Sequence, residues 1–545
     1  MDEMNQNAES TRNIPAEEIV CRLAKPRRKG ILSLVFSRFM IIAVLLVLQV
    51  AIIVSIYFFL YEHVKLIRAI LVTFMVVMEI YLFNCDIDAS AKLTWMLLLS
   101  IIPVPGAIMF AYTMLNPGQQ RVMKREAELI ASTASAIPQD DRVMQALAVD
   151  GGDTDDLVKY LNHSGCFPAF DQTQVQYFPL GEYKFEAMLE ELEKAEKFIF
   201  MEYFIIEEGY MWGKILEILL RKAEEGVDVR VMYDGMCEMS TLPAGYWKLM
   251  EERGIKARPF APITPVLSTH YNNRDHRKIL VIDGKVGFTG GVNLADEYIN
   301  RIERFGHWKD TAIMLKGDAV QSLTLMFLQM WNIEEKDPVF TPYLNAPVKR
   351  TGLQTGIKNE EPLDGYVVPY CDNPMDSYKV GETVYMDILN RAGTYVHIMT
   401  PYLILDGELK TALQYAAQRG VEVKLILPGI PDKAIAYSLA KTHYRELTKA
   451  GVQIYEYTPG FVHAKVVVSD DEKAVVGTIN MDYRSLYHHF ECAAYLYKTA
   501  CIPEIEKDFQ ETLAKCRKVT LKTIRKEKIS YKLIGSVMKL IAPLM

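Results

Sequence analysis

One polar pattern occurs twice in this chain. HRKILVIDGKVGFTGGVNL runs from His276 to Leu294, and HAKVVVSDDEKAVVGTINM runs from His463 to Met481. The two align without a gap, so His276, Lys278, Asp283, Gly290 and Asn293 face His463, Lys465, Asp470, Gly477 and Asn480, 187 residues on (463 minus 276). The likeness reaches back from the motif. KFIFMEYFII (Lys197–Ile206) reads as a buried strand, and YVHIMTPYLI (Tyr395–Ile404) is its partner. Each is followed by an amphipathic helix that ends at a glycine, Gly226 or Gly420, a residue suited to the left-handed helix cap. A further strand, helix and short strand lead into each motif. Strands alternating with helices predict an α/β fold. It has two duplicated lobes, each a mixed sheet flanked by helices, packed about a pseudo-twofold. Such symmetry brings both motifs to one site, and neither needs to be complete alone.

The apolar residues concentrate near the start of the chain. Phe39–Tyr61 is an uncharged run of 23 residues, long enough to cross a bilayer core of about 30 Å. Ile67–Phe83 is a second run, interrupted by Arg68 and Glu79, and Leu93–Leu115 is a third, broken by Pro103, Pro105 and Gly106. The spacing predicts a polar tail over 1–30 and a transmembrane region with two to three segments over 31–116. The first lobe is expected over 120–345, the second over 346–517, and a basic amphipathic tail over 518–545. In that tail Ile529, Leu533, Ile534, Val537, Leu540 and Ile541 fall on one helical face with lysines beside them, a pattern suited to an anionic leaflet. Basic residues flank both ends of the apolar region, so the positive-inside rule conflicts with three full spans. A net charge of −7 argues against a nucleic-acid partner. The eight cysteines form no C-x-x-C pair, so neither a zinc site nor a redox motif is indicated.

Side chains alternate along a strand, so His276 and Lys278 point one way, as do His463 and Lys465. Lysine is not a usual metal ligand, and His-x-Lys speaks against a zinc site. Two lysines and two histidines at one pocket suit a phosphate ester. The lysines neutralise non-bridging oxygens, one histidine attacks phosphorus, and the other protonates the leaving oxygen. Asn293 and Asn480 supply amide donors to the same oxygens. Asp283 and Asp470 either orient a histidine or cap the turn that follows each motif strand.

With these residues in view, the chain resembles the phospholipase D superfamily and, within it, the bacterial cardiolipin synthases. NRDHRKILVIDGKVGFTGGVNLADEY, GHWKDTAIML, VVPYCDNP and GFVHAKVVVSDDEKAVVGTINMDYRS, followed by Phe490 and Glu491, carry the resemblance. It implies transfer of a phosphatidyl group from one phosphatidylglycerol to another. The products are cardiolipin and glycerol, the intermediate is a phosphohistidine, and no metal or other cofactor is required. It implies His276 as nucleophile and His463 as acid and base, with Lys278, Asp283, Lys465 and Asp470 completing the catalytic sets. Glu491 is taken as support for the second set, and the Trp308-Lys309-Asp310 segment as packing beneath the site. The resemblance further implies a multi-pass protein of the bacterial inner (cytoplasmic) membrane with its lobes on the cytoplasmic side. The long first run is extra to the family's usual two. The competing reading keeps the site and changes the acceptor, giving a phospholipase D that uses water or a phosphatidylserine synthase-like transferase.

Overall fold

The computed structural model describes residues 21–23, scattered helical positions within 44–59, and 65–85, 87–115, 117–262, 273–344, 363–540 and 542–544. The polar tail before residue 21, residues 24–43 and scattered positions of the first apolar run, 263–272 and the interlobe segment 345–362 lie outside the described residues.

The first lobe holds a seven-stranded sheet of β1 (Thr173–Phe178), β2 (Phe198–Tyr203), β3 (Asp228–Asp234), β4 (Lys256–Phe260), β5 (Lys278–Ile282), β6 (Val286–Gly290) and β7 (Ala312–Gly317). The second is built from β8 (Tyr366–Asp372), β9 (Tyr395–Met399), β10 (Glu422–Pro428), β11 (Gln453–Tyr457), β12 (Val466–Ser469), β13 (Lys473–Gly477), β14 (His489–Tyr497) and β15 (Cys516–Lys518). The strand orders are β1-β7-β6-β5-β2-β3-β4 and β8-β14-β13-β12-β9-β10-β11-β15. These are one topology used twice, with β15 added at an edge. In each sheet the central motif strand runs antiparallel to its neighbours on both sides, and the two strands beyond pair parallel through helical crossovers. The sheets are therefore mixed, as the alternation of strands and helices predicts. Every residue of β2 and of β5 is buried, because both faces are covered. One apolar core continues from the first sheet into the second. It includes Phe200, Ile279 and Ile313 from the one and Val367, Val467 and Val475 from the other. The two lobes thus form a single packed body.

Two short parallel pairings cross between the lobes. Arg274–Asp275, just before the first motif, pairs with His489–Phe490 at the start of β14. Gly460–Val462, just before the second motif, pairs with His307–Lys309 of the first lobe. Each motif thus enters its own sheet from a strand held by the other lobe.

In the apolar region the structure shows the break expected at Pro103. The second run forms one helix, Lys65–Asn84. The third is not one span. It divides at Ile102 into Ala89–Ile101 and Pro103–Leu115, of 13 residues each. Proline at the start of the second helix has no N–H to continue the first, and it pushes the preceding residue out of helical geometry. A 13-residue helix is about 20 Å long, short of a bilayer core. Among the described residues no helix is long and apolar enough to cross a membrane. The three helices pack on each other through Leu82, Trp95, Leu99, Ala107 and Phe110. The Ser100 hydroxyl donates to the Glu79 carboxylate at 2.8 Å, so the charge inside the second run has a partner. Their outer faces leave Leu66, Ile70, Leu93 and Ile101 exposed.

Candidate active site

His276 sits between the crossing strand Arg274–Asp275 and β5, and its backbone N–H donates to the Phe490 carbonyl of the second lobe at 2.9 Å. His463 sits in the equivalent place before β12, and its N–H donates to the Lys309 carbonyl of the first lobe at 2.7 Å. Both imidazoles are buried. Their acidic partners are exchanged between lobes. His276 Nδ1 lies 2.9 Å from both oxygens of Glu491, on β14. His463 Nδ1 lies 2.6 Å from Asp310, just before β7. In each case Nδ1 is occupied by a carboxylate, which orients the ring and leaves Nε2 as the nitrogen for chemistry.

Lys278 and Lys465 are buried beside these rings. Each ammonium donates to the carbonyl of its motif histidine, and Lys465 Nζ also lies 2.9 Å from His463 Nδ1. The two motifs share one electrostatic environment. Burial is the largest cause pulling His276 well below its ordinary value, followed by Lys278, with His489, Lys465 and His463 contributing. Burial and then Lys465 bring His463 down to about 4 against the pull of Asp310. Burial lowers Lys278 to about 8 and Lys465 to about 7. Clustered cations in a low-dielectric pocket destabilise one another, and a bound anion relieves that repulsion.

The two carboxylates respond differently. Burial pushes Glu491 up to about 8, although Lys278 and the Thr478 hydroxyl favour its charged form. Burial also acts on Asp310, but His463 and Lys465 outweigh it, and Asp310 is held below its ordinary value.

Asp283 and Asp470 are not beside the histidines. Asp283 accepts from the backbone N–H groups of Glu196, Lys197 and Phe198 at 2.7–2.9 Å, where β2 begins. Asp470 accepts from Gly393, Thr394 and Tyr395 at 2.7–2.8 Å, where β9 begins. Their φ values of 53° and 55° place both in the left-handed turn that follows the motif strand. That turn carries the carboxylate away from the pocket and to the far end of the neighbouring strand. Of the two roles open to them, the turn-capping one is what the geometry displays. The expectation that they belong to the catalytic sets is corrected accordingly.

Asn293 and Asn480 are both buried. Asn293 is committed to protein partners: its Oδ1 accepts from Ile205 N–H at 3.0 Å and its Nδ2 donates to the Tyr298 hydroxyl at 2.8 Å. The Oδ1 of Asn480 makes no hydrogen bond among the described residues.

Sequence reasoning gave Asp310 only a packing role, yet the repeat holds the signal for more. DTAIML at Asp310–Leu315 aligns with ECAAYL at Glu491–Leu496, so the two acids are equivalent positions. His489 lies outside both motifs, and no sequence pattern singles it out. Its ring lies 5.4 Å from that of His276, and neither of its buried nitrogens makes a hydrogen bond among the described residues. His276, His489 and Glu491 offer three ligand atoms within 4.8 Å of one another. A divalent cation there would sit beside the Lys278 ammonium, and that like-charge contact favours reading the set as a histidine–carboxylate pair.

Two equivalent lobes that pool a histidine and a lysine each, with crossed acidic partners, define a phosphoryl-transfer site of the phospholipase D type. The family described as "Cardiolipin synthase, PLD-like domain" matches residues 188–331 and 385–513, one segment in each lobe. The chain belongs to this family. It is 33% identical over 460 residues to cardiolipin synthase 2 of Bacillus anthracis, covering 84% of this chain and 87% of that one. It is 32% identical over 463 residues to a cardiolipin synthase of Geobacillus, across 83% of this chain and 88% of that one. An uncharacterized protein of Streptococcus mutans is 55% identical over 466 residues, 86% of this chain and 99% of its own length. Among solved structures, the phosphatidylserine synthase of Haemophilus influenzae superimposes with a TM-score of 0.51 at 16% identity, over 68% of this chain and 93% of that one. That likeness concerns the fold alone.

Proposed function

We propose that this protein is a phosphatidyltransferase that makes cardiolipin and glycerol from two molecules of phosphatidylglycerol. The observation that carries the reading is the cluster of two buried lysines and two buried, carboxylate-oriented histidines, drawn from both lobes and close enough for the charges of one motif to act on the other. Family membership supplies the substrate class.

In the first step Nε2 of His276 attacks the phosphorus of one phosphatidylglycerol. The P–N bond forms as the P–O bond to glycerol breaks, and His463 gives its proton to the departing oxygen. In the second step His463 takes the proton from a hydroxyl of a second phosphatidylglycerol, and that oxygen attacks phosphorus. The P–N bond breaks, cardiolipin leaves, and His276 is regenerated. One phosphodiester replaces another, so the exchange needs no energy donor. Lys278 and Lys465 hold the non-bridging oxygens while their charge grows.

The membrane part of the proposal rests on surface chemistry. The N-terminal helices and the last helix of the chain expose apolar side chains that a lipid phase would cover. The Thr94 hydroxyl donates to the Leu540 carbonyl at 2.8 Å, tying these two regions into one patch. Phe39–Tyr61 is the segment with the length and composition to cross a bilayer.

The test is turnover by the purified full chain in detergent, with phosphatidylglycerol as the sole lipid, EDTA and no nucleotide. Cardiolipin and glycerol in equal amounts are expected. Phosphatidic acid in place of cardiolipin would make water the acceptor and contradict the transferase reading.

A further inference from the structure

The tail forms two short helices, Leu521–Lys526 and Ile529–Met538, docked on the long helix Ala434–Ala450 of the second lobe. Gly535 makes the close approach. A Cβ there would lie 2.4 Å from the Ser438 carbonyl, so only glycine lets the helices meet. Beside this contact the helices diverge around a cavity of about 600 Å³. Lys441, Arg445 and Lys449 line one wall, Arg525, Lys532 and Lys539 line the other, and Glu527 is the one carboxylate among the lining residues. None of the active-site residues lines it.

The sequence builds this groove deliberately. Lys441, Arg445 and Lys449 recur every four residues along one face of the long helix. Arg525, Lys532 and Lys539 recur every seven along the tail. Two rows of like charge therefore face each other. Lys441 is spent on Glu456 at 3.0 Å and Glu527 at 2.8 Å. Arg445, Lys449, Arg525 and Lys539 make no ion pair among the described residues. Rows of unpaired cations across a cleft repel each other, and an anion between them reverses the sign of that interaction. Ser438, Thr442 and Ser536 also line the cavity, with their hydroxyls donating to carbonyls of their own helices, so the cations are left to meet the phosphate.

The apolar side of the same helix points to where that phosphate comes from. Ile529, Leu533 and Val537 are 81%, 65% and 55% exposed, on the stripe adjoining Lys532, Ser536 and Lys539. A phosphate in the groove would carry acyl chains along that stripe. We propose that this groove is a second binding site, apart from the active site, for the phosphate of an anionic phospholipid. The inference rests on a membrane seat for the protein and is independent of the chemistry at His276.

The test is amide hydrogen exchange on the full chain carrying His276→Ala, so that no lipid is turned over, in neutral detergent. Phosphatidylglycerol, phosphatidylcholine and inorganic phosphate are added separately. Phosphatidylglycerol is expected to slow exchange in segments 438–449 and 521–539 by about tenfold, with little effect from the other two. An Arg445→Glu/Arg525→Glu double variant should lose that protection while its helical content is kept. Arg445→Gln alone, which is gentler on the fold, should weaken it by about threefold. Equal protection by phosphatidylcholine, or protection that survives both variants, would overturn the site. Equal protection by inorganic phosphate would overturn the lipid as its ligand. Absence of cardiolipin synthesis in the wild-type chain would leave this result intact, so the two proposals fail separately.

Discussion

His276 and His463 occupy equivalent places in two equivalent sheets, and each bonds a carboxylate from the opposite lobe. The carboxylates are in different states. Glu491 is pushed up to about 8 by burial, whereas Asp310 is held low by His463 and Lys465. An acid that stays ionised stabilises an imidazolium beside it, which suits a histidine that must deliver a proton. A carboxylate whose proton affinity is raised is ready to take the Nδ1 proton as its imidazole acquires positive charge. That event accompanies P–N bond formation. This asymmetry is consistent with the proposed division of roles, attack by His276 and proton transfer by His463, although the repeat alone treats them alike. Under the proposed mechanism, the two halves of a duplicated site differ through the type of acid and its surroundings.

The strongest way to break this comparison is to remove each acid's charge. Asp310→Asn is expected to lower kcat about 10³-fold or more, because His463 loses both its tautomer and its stabilised cation. Glu491→Gln is expected to cost less, about 10²-fold, because its amide oxygen still orients the ring and only proton acceptance is lost. Steady-state rates of the two variants decide it. Equal losses would erase the distinction between the halves.

The lobes, the repeated topology and the histidine and lysine pairs were legible in sequence because strand parity and repeat register are local properties. The crossed acids were less so. Glu491 was noted only through a family pattern, and Asp310 was assigned to packing. Their partners lie 215 and 153 residues away, across an interface no local pattern describes. Asp283 and Asp470 misled for the opposite reason. They are part of the motif in sequence, but a left-handed turn sends them to cap β2 and β9. The break in the third apolar run was legible for a local reason, since a proline at position 103 cannot continue the preceding helix.

A pH profile sharpens the comparison further. Glu491 must be ionised to accept a proton, so kcat/KM of the free enzyme rises as pH approaches about 8. The lysines must be protonated to bind phosphate, so it falls again as Lys465, at about 7, and Lys278, at about 8, lose their protons. His463 must carry the proton it delivers and loses it above about 4, which offsets the rise, so the profile is flat between about 4 and 7 and falls above that. Glu491→Gln should turn the plateau into a decline from about 4, and an unchanged plateau would assign that ionisation elsewhere.

The smallest kinetic effect is expected at the motif aspartates. Asp283→Asn and Asp470→Asn each weaken three charge-assisted bonds to backbone N–H groups, costing about 2 kcal/mol of stability. Thermal denaturation should show the loss, while kcat of the folded fraction stays within about threefold. A large fall in kcat with unchanged stability would return them to the catalytic sets.

The central claim is that the two halves of one pocket perform different steps, and trapping the intermediate tests it most directly. The His463→Ala chain is mixed with a phosphatidyl donor bearing a good leaving group, quenched, digested and mapped by mass spectrometry. The account predicts a phosphatidyl adduct on His276 that accumulates because no base activates the acceptor, and no adduct in the His276→Ala chain. An adduct on His463 when His276 is replaced, equal in amount to that on His276 in the companion variant, would contradict it.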